Sequence, residues 1–244
     1  MKLAGKAALV TGGAKRVGRT LALALAERGC HVAITYRTSA SAAARTCREI
    51  EQRGVRALAL KVDQRHPAQV RRAVGQVLKQ FRRLDVLVNN ASSFEAAPLE
   101  KVTIRQWEDA LSANLAGPWW FAQAAGPLMK RRGAGKIINL LDVSVLSPWI
   151  DYLPYSAAKG GLMTLTLGLA KALAPEVQVN GIAPGPILFP PSITASERKK
   201  AVAKTLLKRE GSPDDLAAAM LFLIEGSDFV TGTLLPVDGG RRLA

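Results

Sequence analysis

Short apolar runs alternate with helical stretches along this chain of 244 residues, and that rhythm leaves few folds open. Residues 7–11, 31–36, 55–62, 84–89, 136–141, 177–182 and 234–237 read as strands. Several, such as Val86-Leu87-Val88, are continuously apolar, as strands buried on both faces are. Helical patterns cover residues 16–28, 41–53 and 67–81, and two longer stretches precede the fifth and sixth strands. Parallel strands joined by right-handed helical crossovers form a doubly wound α/β sheet with helices on both faces. The length suits a single domain spanning 1–244. Residues 187–207 fit the rhythm least well and are the candidate for a segment covering a substrate.

Such a sheet binds ligands outside the carboxyl ends of its strands. After the first strand stands Thr11-Gly12-Gly13-Ala14-Lys15-Arg16-Val17-Gly18. Glycines there permit a tight turn and bring a pyrophosphate close to the free N–H groups of a helix start. The spacing is not the usual dinucleotide fingerprint, so an ordinary strand-to-helix turn stays open. After the second strand an acid would select NAD, whereas a base tolerates the extra phosphate of NADP. The chain reads Thr35-Tyr36-Arg37-Thr38-Ser39, with no acid between Glu27 and Glu49. A guanidinium beside two hydroxyls suits a phosphate monoester, which favours NADPH. Asp63, after the third strand, either accepts from an adenine amino group or caps the helix opened by Pro67.

Lysine and arginine total 34 against 19 acids, a net charge of +15. That excess favours anionic partners: phosphates, an acidic carrier protein or nucleic acid. The basic residues are scattered in pairs such as Arg71-Arg72 and Lys199-Lys200, which argues against a nucleic-acid surface. Cys30 and Cys47 match no metal spacing, and the start of the chain lacks the pattern of an export signal. A reducing cytoplasm is the simple expectation, with no metal and no membrane partner. No apolar run is long enough for a membrane helix; the best, residues 161–174, is cut by Lys171.

Tyr155-Ser156-Ala157-Ala158-Lys159 opens a helix with Tyr155 and Lys159 on one face. A free tyrosine has a pKa of ~10, so its phenolate at neutral pH needs ~4 kcal/mol of differential stabilisation. An adjacent ammonium and the positive ring of an oxidised nicotinamide can supply much of that in a dry site. The pair joins the glycine turn, Asn89-Asn90-Ala91-Ser92 after strand four, Asn114, and Pro184-Gly185 after strand six.

Together these residues resemble the short-chain dehydrogenase/reductase family, over essentially the whole chain. The resemblance implies a seven-stranded Rossmann sheet with Tyr155 as proton donor. It implies that Lys159 binds the nicotinamide ribose and lowers the tyrosine pKa, and that Asn114 holds a water in a proton relay. Gly12, Lys15, Arg16, Val17, Gly18, Asn90, Ala91 and Ser92 would line the cofactor, with Pro184, Gly185 and Ile187 at the nicotinamide. Val237-Asp238-Gly239-Gly240 resembles the family's C-terminal signature, and a homotetramer packed on the helices after strands four and five is implied.

Two departures narrow the substrate. Arg16 replaces the central glycine of the turn, and Asp142 replaces the catalytic serine after Ile138-Asn139-Leu140-Leu141, with Ser144 a misregistered substitute. Both resemble the pteridine reductase branch, as do Ser92-Ser93-Phe94 and Tyr152. There Phe94 would stack a pterin opposite the nicotinamide, and Arg16, Ser92, Asp142 and Tyr155 would touch it. A serine donates to a carbonyl oxygen as charge develops on it; an ionised aspartate repels that oxygen. A pterin takes hydride at carbon and a proton at nitrogen, a task an Asp142/Tyr155 pair can share. The expected activity is NADPH-dependent reduction of a pteridine of dihydrobiopterin, dihydromonapterin or dihydrofolate type. The alternatives are a 3-oxoacyl carrier-protein or other ketone reductase, and a dinucleotide-binding regulator without turnover. Trp149 and Phe189 are candidate pocket walls, and Trp119 and Trp120 belong to helix packing or a subunit interface.

Overall fold

Successive side chains of a strand point to opposite faces of its sheet, and here both faces are buried. In β1 (Ala7–Val10), Ala8 and Val10 join one apolar cluster while Ala7 and Leu9 join another. A computed structural model of the chain describes residues 1–189 and 193–244. The other strands are β2 (His31–Tyr36), β3 (Ala57–Lys61), β4 (Val86–Asn89), β5 (Gly135–Leu140), β6 (Val177–Pro184) and β7 (Leu234–Val237). They form one seven-stranded sheet in the order β3-β2-β1-β4-β5-β6-β7, every pairing parallel.

The first cluster is closed by α1 (Arg16–Glu27), α2 (Ala40–Glu51) and α8 (Pro213–Leu221), which contribute Leu21, Leu25, Ile50, Leu216 and Met220. The second is closed by α3 (Pro67–Phe81), α5 (Gly117–Arg131) and α6 (Leu153–Leu173), through Val70, Val77, Phe121, Met129 and Leu173. Trp119 and Trp120 pack partly buried against that second cluster, their ring centroids 6.5 Å apart. The expected doubly wound sheet is therefore the fold.

Three local features position the site. The strand order reverses between β1 and β4, so their carboxyl ends open a crevice. A π-helical turn, Ser112–Ala116, separates α4 (Ile104–Leu111) from α5 and buries Asn114. The segment 187–207 holds a helix that periodicity did not reveal, α7 (Ala195–Ala203). Its start is fixed by a capping box between Thr194 and Glu197, while its apolar face is too short for a clear pattern. Residues 190–192 of that segment lie outside the described residues. No described helix is long and apolar enough to cross a membrane.

Candidate active site

Two cavities meet at the turn after β1. The first, about 420 Å³, is lined by Gly12, Lys15 to Gly18, Tyr36 to Ser39, Asp63 and Asn90 to Ser92. A Cβ on Gly18 would overlap the carbonyl oxygen of Gly12, and one on Gly12, at φ +64°, would press on Ala91. Lys15 caps α1 without a side-chain bond, and the first turn carries no acid. The leading amides of α1 thus face the cleft without an intrahelical partner, a ready anion site. Arg37 and Thr38 are exposed at the end of β2, and Ser39 makes no side-chain cap bond to α2. Arg37 forms no ion pair among the described residues. These groups fit a phosphorylated dinucleotide: amides for a pyrophosphate, and a free guanidinium with hydroxyls for a further phosphate.

Two expectations for this cleft change. Asp63 stands two residues beyond β3 and does not cap α3, whose N-cap is His66. Its carboxylate accepts from the Arg65 side chain at 2.6 and 2.9 Å and from the Arg65 N–H at 3.1 Å, and those bonds hold its pKa below the usual range. Asn90 borders the cleft, but its amide is committed: Nδ2 donates to the Thr11 carbonyl at 2.9 Å. Thr11 Oγ1 accepts from the N–H groups of Asn90 and Ala91 at 2.9 Å each, so the three residues lock the turn to β4.

The second cavity, about 690 Å³, is bordered by Arg16, Ser92, Phe94, Asp142, Tyr155 and Gly185 to Phe189, with Trp149 and Tyr152 at its aromatic wall. Phe94 stacks on Tyr152 with centroids 4.2 Å apart and meets Tyr155 edge-on at 4.8 Å. One Phe94 face is therefore already covered, which limits its expected stacking role to the other. Pro184 ends β6 just short of this lining; Gly185 is packed so that a Cβ would meet the Asp238 Cα at 2.6 Å. Ile187 pairs with Gly211 and faces the cavity.

Arg16 borders both cavities. Its backbone is left-handed, at φ +54°, which explains why a glycine suits this place. Its guanidinium donates to the carbonyls of Leu188 and, at 3.2 Å, Phe189, fastening the turn to the covering segment. The resemblance has Arg16 touching both ligands; here the protein backbone also takes part of its hydrogen-bonding capacity.

At the buried end, Tyr155 Oη donates to Asp142 Oδ2 at 3.0 Å, and Asp142 Oδ1 accepts from the Ser144 N–H at 2.7 Å. Ser144 itself is fully buried and does not line the cavity, so it is no substitute for the missing serine. Lys159 Nζ donates to the Leu140 carbonyl at 2.6 Å and lies 5.6 Å from the Tyr155 ring centroid. Burial pushes Asp142 up from the carboxylate range and drives Lys159 down to about 8. Burial and the Asp142 charge raise Tyr155 well above its ordinary value. The Lys159 ammonium donates to the Leu140 carbonyl, while the group bonded to the tyrosine hydroxyl is a carboxylate. Tyr155 is thus held as a proton donor, already aimed at an acceptor.

Asn114 does not reach this trio through its side chain. Its amide donates to the Ser93 and Ala110 carbonyls at 2.9 and 3.0 Å and accepts from the Ser93 N–H at 3.0 Å. It anchors the irregular segment after β4 that carries Ser92 and Phe94. Sequence reasoning missed Gln64 and Arg65. Gln64 donates to the Ala91 and Ala113 carbonyls, and Arg65 pairs with both Asp63 and Asp109. No local pattern marks Gln64, whose partners are distant in sequence, and for Arg65 only the Asp63 partner is near, while Asp109 lies on α4. Arg241 and Glu197, at the exposed end of the second cavity, were also missed.

The burial of Lys159 has a measurable cost. Its folded pKa is depressed from 10.5 to about 8, so its stabilising contribution is present above 10.5 and lost as pH falls through about 8. At pH 7 it burdens the fold, offset by the bond to Leu140. Lys159→Met is expected to raise the melting temperature at pH 7 by roughly 2–4 °C, about 1 kcal/mol net, while lowering activity. Calorimetry between pH 7 and 10 should show that advantage shrinking; a constant difference would mean the lysine is not strained by burial.

Residues 12–242 match a family model described as enoyl-(acyl carrier protein) reductase. An uncharacterised oxidoreductase of Methylorubrum extorquens is 36% identical over 99% of both chains. The 3-oxoacyl-[acyl-carrier-protein] reductase of Staphylococcus aureus is 34% identical over 98% of each. A blue fluorescent protein from a metagenomic library, solved in complex with NADPH, is 35% identical over 99% of both chains, with a TM-score of 0.92.

Proposed function

Because the chain belongs to the short-chain dehydrogenase/reductase family, we propose that this oxidoreductase uses NADPH to reduce a C=N bond of a pteridine ring. The observation that carries the substrate is the bond between Tyr155 and Asp142, where the family resemblance expects a serine. When bound, NADPH supplies the hydride for the ring carbon. The protein's task is the proton: Tyr155 Oη delivers it to the adjacent ring nitrogen, and Asp142, its pKa raised by burial, passes the replacement. The pair titrates as a unit. Phe94 and Tyr152 offer a flat apolar wall for the ring, and Arg16 borders both ligands. Lys15 to Gly18 and Arg37 to Ser39 hold the phosphates. A cytoplasmic homotetramer fits the same reading, supported by the exposed Ile104 and Trp107 on α4 and Leu167 on α6.

A second reading, reduction of a 3-oxoacyl thioester, is favoured by the named activity of the Staphylococcus relative and by the net charge of +15, which suits an acidic carrier. Asp142 weighs against it, since an ionised carboxylate opposes the oxyanion formed from a ketone. NADPH oxidation with dihydrobiopterin, dihydrofolate and an acetoacetyl thioester separates the two. Turnover of the pterins alone supports the pteridine reading; turnover of the thioester alone replaces it.

Arg37 carries the cofactor preference. Arg37→Asp is expected to lower kcat/KM for NADPH by about 10- to 100-fold, the range of one charge-assisted contact, and to spare NADH. An unchanged NADPH/NADH ratio would show that another group reads the phosphate.

A further inference from the structure

The wall of the 690 Å³ cavity that carries Ser92 and Phe94 is irregular chain, and side chains of other elements hold it in place. From 92 to 97, its N–H groups find protein partners among the described residues only at Ser93 and Ala97. The first donates to Asn114 Oδ1 at 3.0 Å, the second to the Asp151 carbonyl at 2.9 Å. The Ser93 hydroxyl supplies a further tie, donating to Asp109 Oδ2 on α4 at 2.8 Å. A hydrogen bond to an ionised acceptor is about twice as strong as a neutral one.

Asp109 Oδ1 accepts from Arg65, whose other nitrogens donate to Asp63 at 2.6 and 2.9 Å. With its side chain only 28% exposed, the carboxylate is less screened than a surface ion pair. The helix that bears it is started by its own capping box between Thr103 and Gln106, which does not involve Asp109. Both carboxylate oxygens of Asp109 are thus spent away from α4, one on the loop after β3 and one on the cavity wall. Phe94 meets the Tyr155 ring edge-on at 4.8 Å, so a shift of this wall alters the space beside the proton donor.

We infer that Asp109 is a positioning residue for the substrate: through Ser93 it sets where Ser92 and Phe94 stand against the cavity, while Arg65 steadies its carboxylate. This rests on the substrate occupying that cavity, and not on its being a pteridine. The test uses whichever of dihydrobiopterin, dihydrofolate and the acetoacetyl thioester the wild type reduces. Ser93→Ala and Asp109→Ala are each expected to raise KM about 10-fold, the effect of one charge-assisted bond. Loss of binding common to ground and transition states leaves kcat, here within about 3-fold, and the NADPH Kd within about 2-fold. Because a single bond joins the two residues, the double variant should also lie near 10-fold, far below the ~100-fold product. In Asp109→Asn the amide can accept from Arg65 and donate to the Ser93 hydroxyl, so KM should rise no more than about 3-fold. Ser93→Ala removes only a hydroxyl and carries the test should Asp109→Ala fold poorly. An unmoved KM, multiplied effects in the double variant, or a kcat that falls with KM constant would overturn the inference. Turnover of the thioester alone ends the pteridine reading and leaves this one standing. If none of the three is reduced, that functional reading fails, and hydrogen exchange of residues 92–97 in the NADPH complex decides: faster exchange in both single variants supports the tie, and equal exchange overturns it.

Discussion

Tyr155→Phe is expected to lower kcat about 10³-fold on any pterin the wild type reduces, leaving NADPH affinity nearly unchanged. The size follows from removing a positioned proton donor, which is worth roughly 10²–10⁴-fold. Tyr155 is the hydroxyl aimed at Asp142, and its ring, walled by Phe94, is shielded from water. The variant also strands Asp142, whose proton affinity rises further once the tyrosine no longer donates to it. A loss of about 1.5–3 kcal/mol in stability should accompany the change, because the missing bond was made to a charged group in a buried place. Pre-steady-state NADPH oxidation separates the effects: a slow hydride step with normal cofactor binding is expected. Undiminished turnover would mean that the ring nitrogen is protonated from elsewhere.

Asp142→Ser is expected to reduce pterin turnover by at least ~10²-fold. Serine can still accept from Tyr155 but has no carboxyl to take up and pass on a proton. Stability should move the other way with pH. The folded pKa of Asp142 is raised, so its favourable contribution is present below the unfolded value of ~3.9 and lost as pH rises through the folded one. The variant's melting temperature should therefore gain on the wild type as pH climbs above about 4. A pterin turnover that survived the exchange would remove the main support for the pteridine assignment.

The sheet was legible in the sequence because its central strands β1, β4 and β5 are buried on both faces and the glycine turn after β1 is local. Strand β2 was bounded to the residue; β3 came out shorter at both ends, since Val55 and Arg56 still belong to the turn leaving α2. Tyr155, Lys159 and Asp142 were legible from spacing and resemblance, and they do assemble. What they do to one another's proton affinities was not, because that depends on where Nζ and the carboxyl point. Asn114, Asn90 and Arg16 were named correctly as residues of the region, yet each spends its side chain on the backbone. Gln64 and the Arg65–Asp109 pair escaped notice because nothing nearby in sequence announces a partner on another element.

The two large apolar clusters that hold the sheet do not include residue 142, which sits on the rim beyond β5. Only the small third cluster, through Leu141 and Val143, flanks it. An acid can thus be tried at that rim position with its penalty confined to the immediate neighbourhood. A lineage built on this frame can drift from one reaction to another by single exchanges, while the framework that folds it is left to selection of a different kind.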